Sequence, residues 1–379
     1  MRPVLRVMFV SWCVALAIGA VGVGIRLITG ERMAGYGSWV PWGLWVALYF
    51  HFVGIAGGAY VVGTLGALRG MPTLRERLPL ILWISAAMLV TGLMAIGLDL
   101  GQMFRAPRMF LSPRFTSMMT FNSWTYVLFL GTLATIAAVL WRPSERTRGW
   151  LRPLLILGIA LGVAFPSQSG VFFGVVEAKP YWSSALLPVM FLSSAVACGA
   201  AVLLFVLSFL PDTLESPPDR TMRYLRFTAI GAVAAYFVME FGEISITLWS
   251  PAGHAREPVE LILSGPFWWV FWLVHVGGGL VALALLVFGR SRAALGAGAF
   301  VVATTFVSAR LNVLIPGQSF PELEGLARAF THPKLSFYYV ATPMEYMVAL
   351  FIAAVGTALV YAGMRVLTGF SIQHPERAK

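Results

Sequence analysis

Charge is what this sequence has least of: Asp, Glu, Lys and Arg together make up 11% of its 379 residues, while 59% are hydrophobic. Soluble domains run to about 25% charged residues, so no sizeable soluble domain is hidden here. Cysteine is nearly absent. Cys13 and Cys198 both lie inside apolar runs, which excludes a disulfide framework and a cysteine-held cluster, so any iron–sulfur centre has to belong to a partner. Acidic residues are fewer than basic ones, 16 against 27, and the net charge of +11 would suit nucleic acid if the basic residues clustered. They fall instead in short gaps between apolar runs, the distribution of membrane topology, so no nucleic acid is expected. Of five histidines only His51 and His275 lie within such runs, which excludes a two-haem cytochrome b and leaves one haem, clamped by that pair, as an open alternative.

What is present is a series of apolar runs long enough to cross a membrane. The stretch from Pro41 to Leu68, PWGLWVALYFHFVGIAGGAYVVGTLGAL, has no formal charge, and at 1.5 Å per residue it outruns a hydrocarbon core of about 30 Å. Gly54 and Gly58, four residues apart within it, leave a groove for a second helix. The chain divides into ten such spans, near 7 to 29, 42 to 68, 78 to 100, 122 to 141, 153 to 175, 184 to 210, 226 to 249, 267 to 288, 293 to 314 and 341 to 364. This predicts an all-α integral membrane protein, a single membrane domain over 1 to 379. The first run follows Arg2 and Arg6 as a signal peptide would, but it is long and Arg26 replaces a small-residue cleavage site, so it reads as a retained helix.

Lys and Arg set an orientation. The side holding both termini carries roughly twice as many as the other, which places the termini in the cytoplasm of a bacterial or archaeal plasma membrane. The long connections Gly101 to Phe121, Ser250 to Pro266 and Ile315 to Val340 then share the outer face, as a docking platform would. A shift of 141 residues lays Ala56-Gly57-Gly58-Ala59 over Ala197-Cys198-Gly199-Ala200 and Asp99 over Glu240. That offset predicts two related four-helix bundles, 42–175 and 184–314, flanked by the first and last helices.

Ionisable groups inside spans are expensive and mark functional sites. Asp99 ends the third span, Glu240 and Glu243 lie one turn apart on the seventh, and Arg310 and Asn312 come late in the ninth. Tyr49 and His51 on the second span and His275 on the eighth complete the set, all in the outer half of the membrane under this orientation. Plain structural readings stand beside these. Asp99 pairs with Arg105, Glu243 with Arg310, His51 is a packing residue, and Trp42, Trp45, Trp124, Trp182, Trp268 and Trp269 form an interfacial belt. Buried carboxylates with an arginine also fit a proton-coupled transporter, and the loops alone would fit a purely structural anchor.

Several segments together resemble the NrfD-like or polysulfide-reductase family of quinone-reactive membrane subunits. They are PWGLWVALYFHFVGIAGG, GLDLGQMFRAPRMFLSPRFTSMMTFNSW, SSALLPVMFLSSAVACG, the Phe-Gly-Glu at 241 to 243, ARLNVLIPG and FYYVATPMEY, in that order along nearly the whole chain. The resemblance implies a haem-free and metal-free subunit that binds a quinone, menaquinone or ubiquinone, in the outer half of the bilayer. It implies electron exchange with a ferredoxin-like iron–sulfur subunit on the outer face, beside further catalytic or cytochrome subunits and membrane lipid. Asp99, Glu243 and Arg310 match family positions and are expected to serve catalysis. Tyr49 falls where relatives carry another polar residue and is expected to bind the headgroup, with His51, Glu240, Asn312 and His275 as further candidates.

Overall fold

In the computed structural model the described residues are 3–142, 144–210, 219–250, 256–321, 323, 325–330, 332 and 334–373. Arg2, Arg377 and Lys379, which weigh in the charge asymmetry, lie outside them, as do 251–255 of the expected 250–266 connection. Among the described residues there are helices and no strands, and ten helices are long and apolar enough to cross a membrane. These are Arg6–Thr29, Leu44–Leu68, Leu78–Asp99, Met118–Trp141, Gly149–Gly174, Leu187–Phe209, Arg220–Trp249, Val270–Phe288, Arg292–Gln318 and Pro343–Leu367, hereafter spans 1 to 10. Two departures from regularity are not visible as apolar runs. Span 8 opens with a π-helical segment, Val270–Gly277, and span 9 is interrupted at Phe306, between the helices Arg292–Thr305 and Val307–Gln318.

Span 2 is the hub, with 83% of its apolar window buried against 11% for span 1. It packs on spans 3, 5, 6 and the second half of span 9, while span 6 packs on spans 7, 9 and 5. Spans 4 and 5 pair, and so do spans 8 and 9. Span 1 lies outside this core against span 10, which leans on span 3.

Small residues make the central crossing possible. A Cβ at Gly58 would come within 1.8 Å of the Ala195 carbonyl, and one at Gly199 within 2.1 Å of the Ala59 amide nitrogen, so spans 2 and 6 meet backbone to backbone. Gly58→Ala is therefore expected to cost about 1–3 kcal/mol of fold stability through overpacking, read as a lower unfolding midpoint in mild detergent. An unchanged midpoint would mean that the helices separate freely there.

The ends of span 2 and span 10 near the long connections, here called the loop face, are tied together by side chains. Thr342 and Glu345 form a capping box: the Thr342 amide donates to Glu345 Oε1 at 3.2 Å and the Glu345 amide to Thr342 Oγ1 at 3.4 Å. Glu345, fully buried, also accepts from the Gly35 amide at 2.6 Å and the Tyr339 hydroxyl at 2.5 Å. Tyr339 in turn accepts from the Leu44 amide, and Gln318 Oε1 from that of Trp42, so donors at the start of span 2 are satisfied. Lys334 donates to the carbonyls of Glu31, Ala34 and Tyr36.

Two of the six expected belt tryptophans are core residues. Trp45 is buried and its indole donates to the Glu345 carbonyl, and Trp182 is buried with its indole on the Val313 carbonyl. A tryptophan near a helix end sits in the lipid interface only if no neighbouring chain covers it. Here the loop-face segments do.

Candidate functional site

Tyr49 lies five residues into span 2, about 7.5 Å below its start, and shares a 2.7 Å hydrogen bond with the hydroxyl of Tyr126 on span 4. The Tyr126 ring stands edge-on to Phe165, and Tyr49 leads through Phe50 to Phe173 and Phe191. One turn from Tyr126, Asn122 donates to Ser169 Oγ at 3.4 Å, and its own Oδ1 is buried with no partner. Two phenols thus meet in an aromatic surround, with the Asn122 amide one turn away on the same helix. The sequence reading missed Tyr126 and Asn122. Both are neutral, so a search for charge inside spans passes over them, although a second tyrosine entering from the same face was a usable signal.

Asp99 closes span 3, buried, with Oδ1 unpartnered. Arg105, its expected partner, is exposed. The guanidinium nearby is Arg26 of span 1, which caps span 3 by donating to the carbonyls of Leu98 at 2.9 Å, Leu100 at 3.2 Å and Asp99 at 3.5 Å, and pairs with Glu31 at 3.5 Å. Beside it the hydroxyl of Tyr36 is buried without a partner, and burial, with Asp99 and Glu31 adding to it, pushes that phenol far above its ordinary range.

The remaining groups lie around spans 6 to 9. Glu240 accepts from His275 Nε2 at 2.9 Å, and His275 Nδ1 lies 3.0 Å from the Ser308 hydroxyl, which donates to the Thr305 carbonyl. Glu243 accepts from Ser184 Oγ at 2.6 Å, not from Arg310. Arg310 is buried, donates to Ser194 Oγ at 2.6 Å and the Phe191 carbonyl at 3.2 Å, and holds its guanidinium 3.7 Å from the centre of the Phe191 ring. Among the described residues no carboxylate pairs with it. Asn312 has its Nδ2 unpartnered, while its carbonyl accepts from Tyr181. Burial, with Glu240 and then Glu243, raises the Tyr181 phenol above its usual range. His51 uses Nε2 on the Ala303 carbonyl at 2.8 Å, turned to span 9 and away from Tyr49.

The structure thus distributes the expected site residues over separate local networks. Tyr49 joins Tyr126, Asp99 joins the Arg26 cluster, Glu240 joins His275, and Glu243 and Arg310 each bond to span 6 or its entry. Among the described residues no group of three or more His, Cys, Asp or Glu side chains is placed to hold a metal ion.

Comparison with known proteins supplies the context for these networks. Residues 33–322 match the family model described as polysulphide reductase, NrfD. The chain is 25% identical to a selenate reductase subunit of Mesobacillus selenatarsenatis over 87% of its own length and 86% of the relative's. It is 26% identical to the Hdr-like menaquinol oxidoreductase integral membrane subunit of Archaeoglobus fulgidus, covering 76% and 73%, and 24% identical to protein NrfD of Escherichia coli, covering 65% and 83%. With ten apolar spans and a family match across most of its length, this chain belongs to the polysulphide reductase NrfD family of membrane subunits of oxidoreductases.

Proposed function

We propose that this chain is the quinone-binding membrane subunit of a multi-subunit oxidoreductase, linking the membrane quinone pool to an iron–sulfur subunit docked on the loop face, which is the extracytoplasmic face. The observation that carries this reading is the Tyr49–Tyr126 hydroxyl pair, part-buried in an aromatic surround in the half of the bilayer nearer the loop face. Quinone carbonyls need hydrogen-bond donors and the ring needs apolar walls; two phenols, and the amide of Asn122 with its unpartnered oxygen, offer donors and an acceptor at one place. When bound, the quinone supplies two-electron, two-proton chemistry that no side chain here offers. Tyr49 and Tyr126 orient the ring. Asp99, at the end of span 3 with a free carboxylate oxygen, and Glu243, near the entry to span 6, hold and release protons toward the extracytoplasmic water. Arg310, a cation among neutral partners, sets a positive potential between the two halves of the protein. His51, Asn312, Glu240 and His275 stand outside this headgroup set. The same reading treats 42–175 and 184–314 as two related four-helix bundles: span 2 packs on 3 and 5 as span 6 packs on 7 and 9.

The partner's place is supported by the connection after span 3. Arg105, Arg108 and Arg114 are exposed there beside Phe104, which is 97% exposed, and Leu111. A basic rim around apolar side chains suits an acidic, cluster-bearing partner. The complex purified gently is expected to carry quinone and a cluster-bearing subunit, and a photocrosslinker at Phe104 is expected to capture that subunit. Capture only from Arg75, at the opposite face, would reverse the orientation, and a preparation with neither quinone nor cluster would sink the function.

A further inference from the structure

On the perimeter of the helices, beside span 7, lies an open-sided groove of about 890 Å³. Phe237, Phe241, Phe271 and Trp272 form its walls, and Trp249 stands at its loop-face end. Among its described lining residues Glu240 is the one ionisable group, with its side chain 10% exposed. That carboxylate is only partly satisfied. Oε2 accepts from His275, but Oε1 receives one long contact, 3.4 Å from the Tyr236 hydroxyl, whereas a carboxylate has room for about four hydrogen bonds. Behind it His275 is fully buried on the π segment that also carries Phe271 and Trp272, and π turns recur at functional sites.

Depth and charge select the occupant. Glu240 is nine residues below Trp249, about 13 Å along the helix, so a headgroup reaching it sits well inside the hydrocarbon. A phospholipid phosphate belongs at the interface and is repelled by a carboxylate. A transmembrane helix from another subunit has its backbone donors already used. What fits is a neutral, flat ring with hydroxyl donors and an apolar tail. We propose that this groove is a second quinol-class site, separate from Tyr49 and Tyr126, in which a ring hydroxyl donates to Glu240, the ring lies among Phe237, Phe241 and Phe271, and the tail leaves sideways into the bilayer. This rests on reading the chain as quinone-reactive.

Dicyclohexylcarbodiimide, which reaches carboxyl groups from the lipid phase, tests it on the assembled complex in membranes, with labelling read at the Glu240 peptide by mass spectrometry. Glu240 is expected to be modified. A decyl-tailed naphthoquinol at ten times its Kd is expected to slow that modification about tenfold, in wild type and in Tyr126→Phe alike. Glu240→Gln removes the label. An unlabelled Glu240, covered by another subunit, overturns the proposal, as does labelling that the quinol does not slow or that added phosphatidylglycerol slows equally. Absent protection at Glu240 with turnover still sensitive to Tyr126→Phe sinks this site alone. Protection at Glu240 with turnover indifferent to Tyr126 supports it and sinks the first site.

Discussion

Tyr126→Phe is expected to lower quinone-linked turnover at least ~10-fold, about 1.4 kcal/mol at the barrier, in a complex that still assembles and still reduces its cluster with artificial donors. The ring and its packing on Phe165 are kept, so only the hydroxyl that meets Tyr49 is lost. Tyr49→Phe is expected to do the same, and because the two hydroxyls share one hydrogen bond, the double variant should lose less than the sum of the singles. Glu243→Gln, which keeps shape and removes the proton acceptor beside Ser184, is expected to slow turnover by a similar factor while leaving quinone binding in place. Normal turnover in both tyrosine variants would move the headgroup away from spans 2 and 4.

Glu345→Ala is expected to cost the most stability, about 3–5 kcal/mol, because it strands the buried Tyr339 hydroxyl and the part-buried Gly35 amide and opens the capping box with Thr342. Tyr339 also receives the Leu44 amide, so the entry to span 2 loosens with it. Glu345→Gln keeps an acceptor and is expected to lose less than half as much. Thermal inactivation of the detergent-solubilised complex reads the difference; equal midpoints for the Ala variant and wild type would show that the strap carries no load.

The ten spans were legible because an apolar run of twenty residues is a local property, set by bilayer thickness and independent of tertiary contacts. The break at Phe306 and the π turns around His275 were not, since the apolar run continues through both and hydropathy does not register a change of backbone hydrogen-bonding. The same contrast runs through the site. Asp99, Glu240, Glu243 and Arg310 stand out in sequence because charge in a membrane is rare, but their partners do not. Arg26 reaches span 3 across 73 residues and binds carbonyls, which no residue pattern marks. Arg310 takes a serine, a carbonyl and an aromatic face in place of the carboxylate that charge pairing would choose. Trp45 and Trp182 look interfacial by position, and only the chain that covers them makes them core.

The backbone-to-backbone crossing of spans 2 and 6 carries a mechanical consequence. With Ala195 lodged against Gly58, Gly199 against Ala59, and Arg310 reaching across from span 9 to span 6 beside Gly54, the two halves have no lubricated surface on which to rock. A carrier that alternates access needs one repeat to swing against the other around a loosely packed seam. Here the seam is closed at backbone distance, a packing that opposes such a swing. On the proposed function, what is expected to move during turnover is small, a proton, an electron or a flat ring, between helices held together at backbone distance.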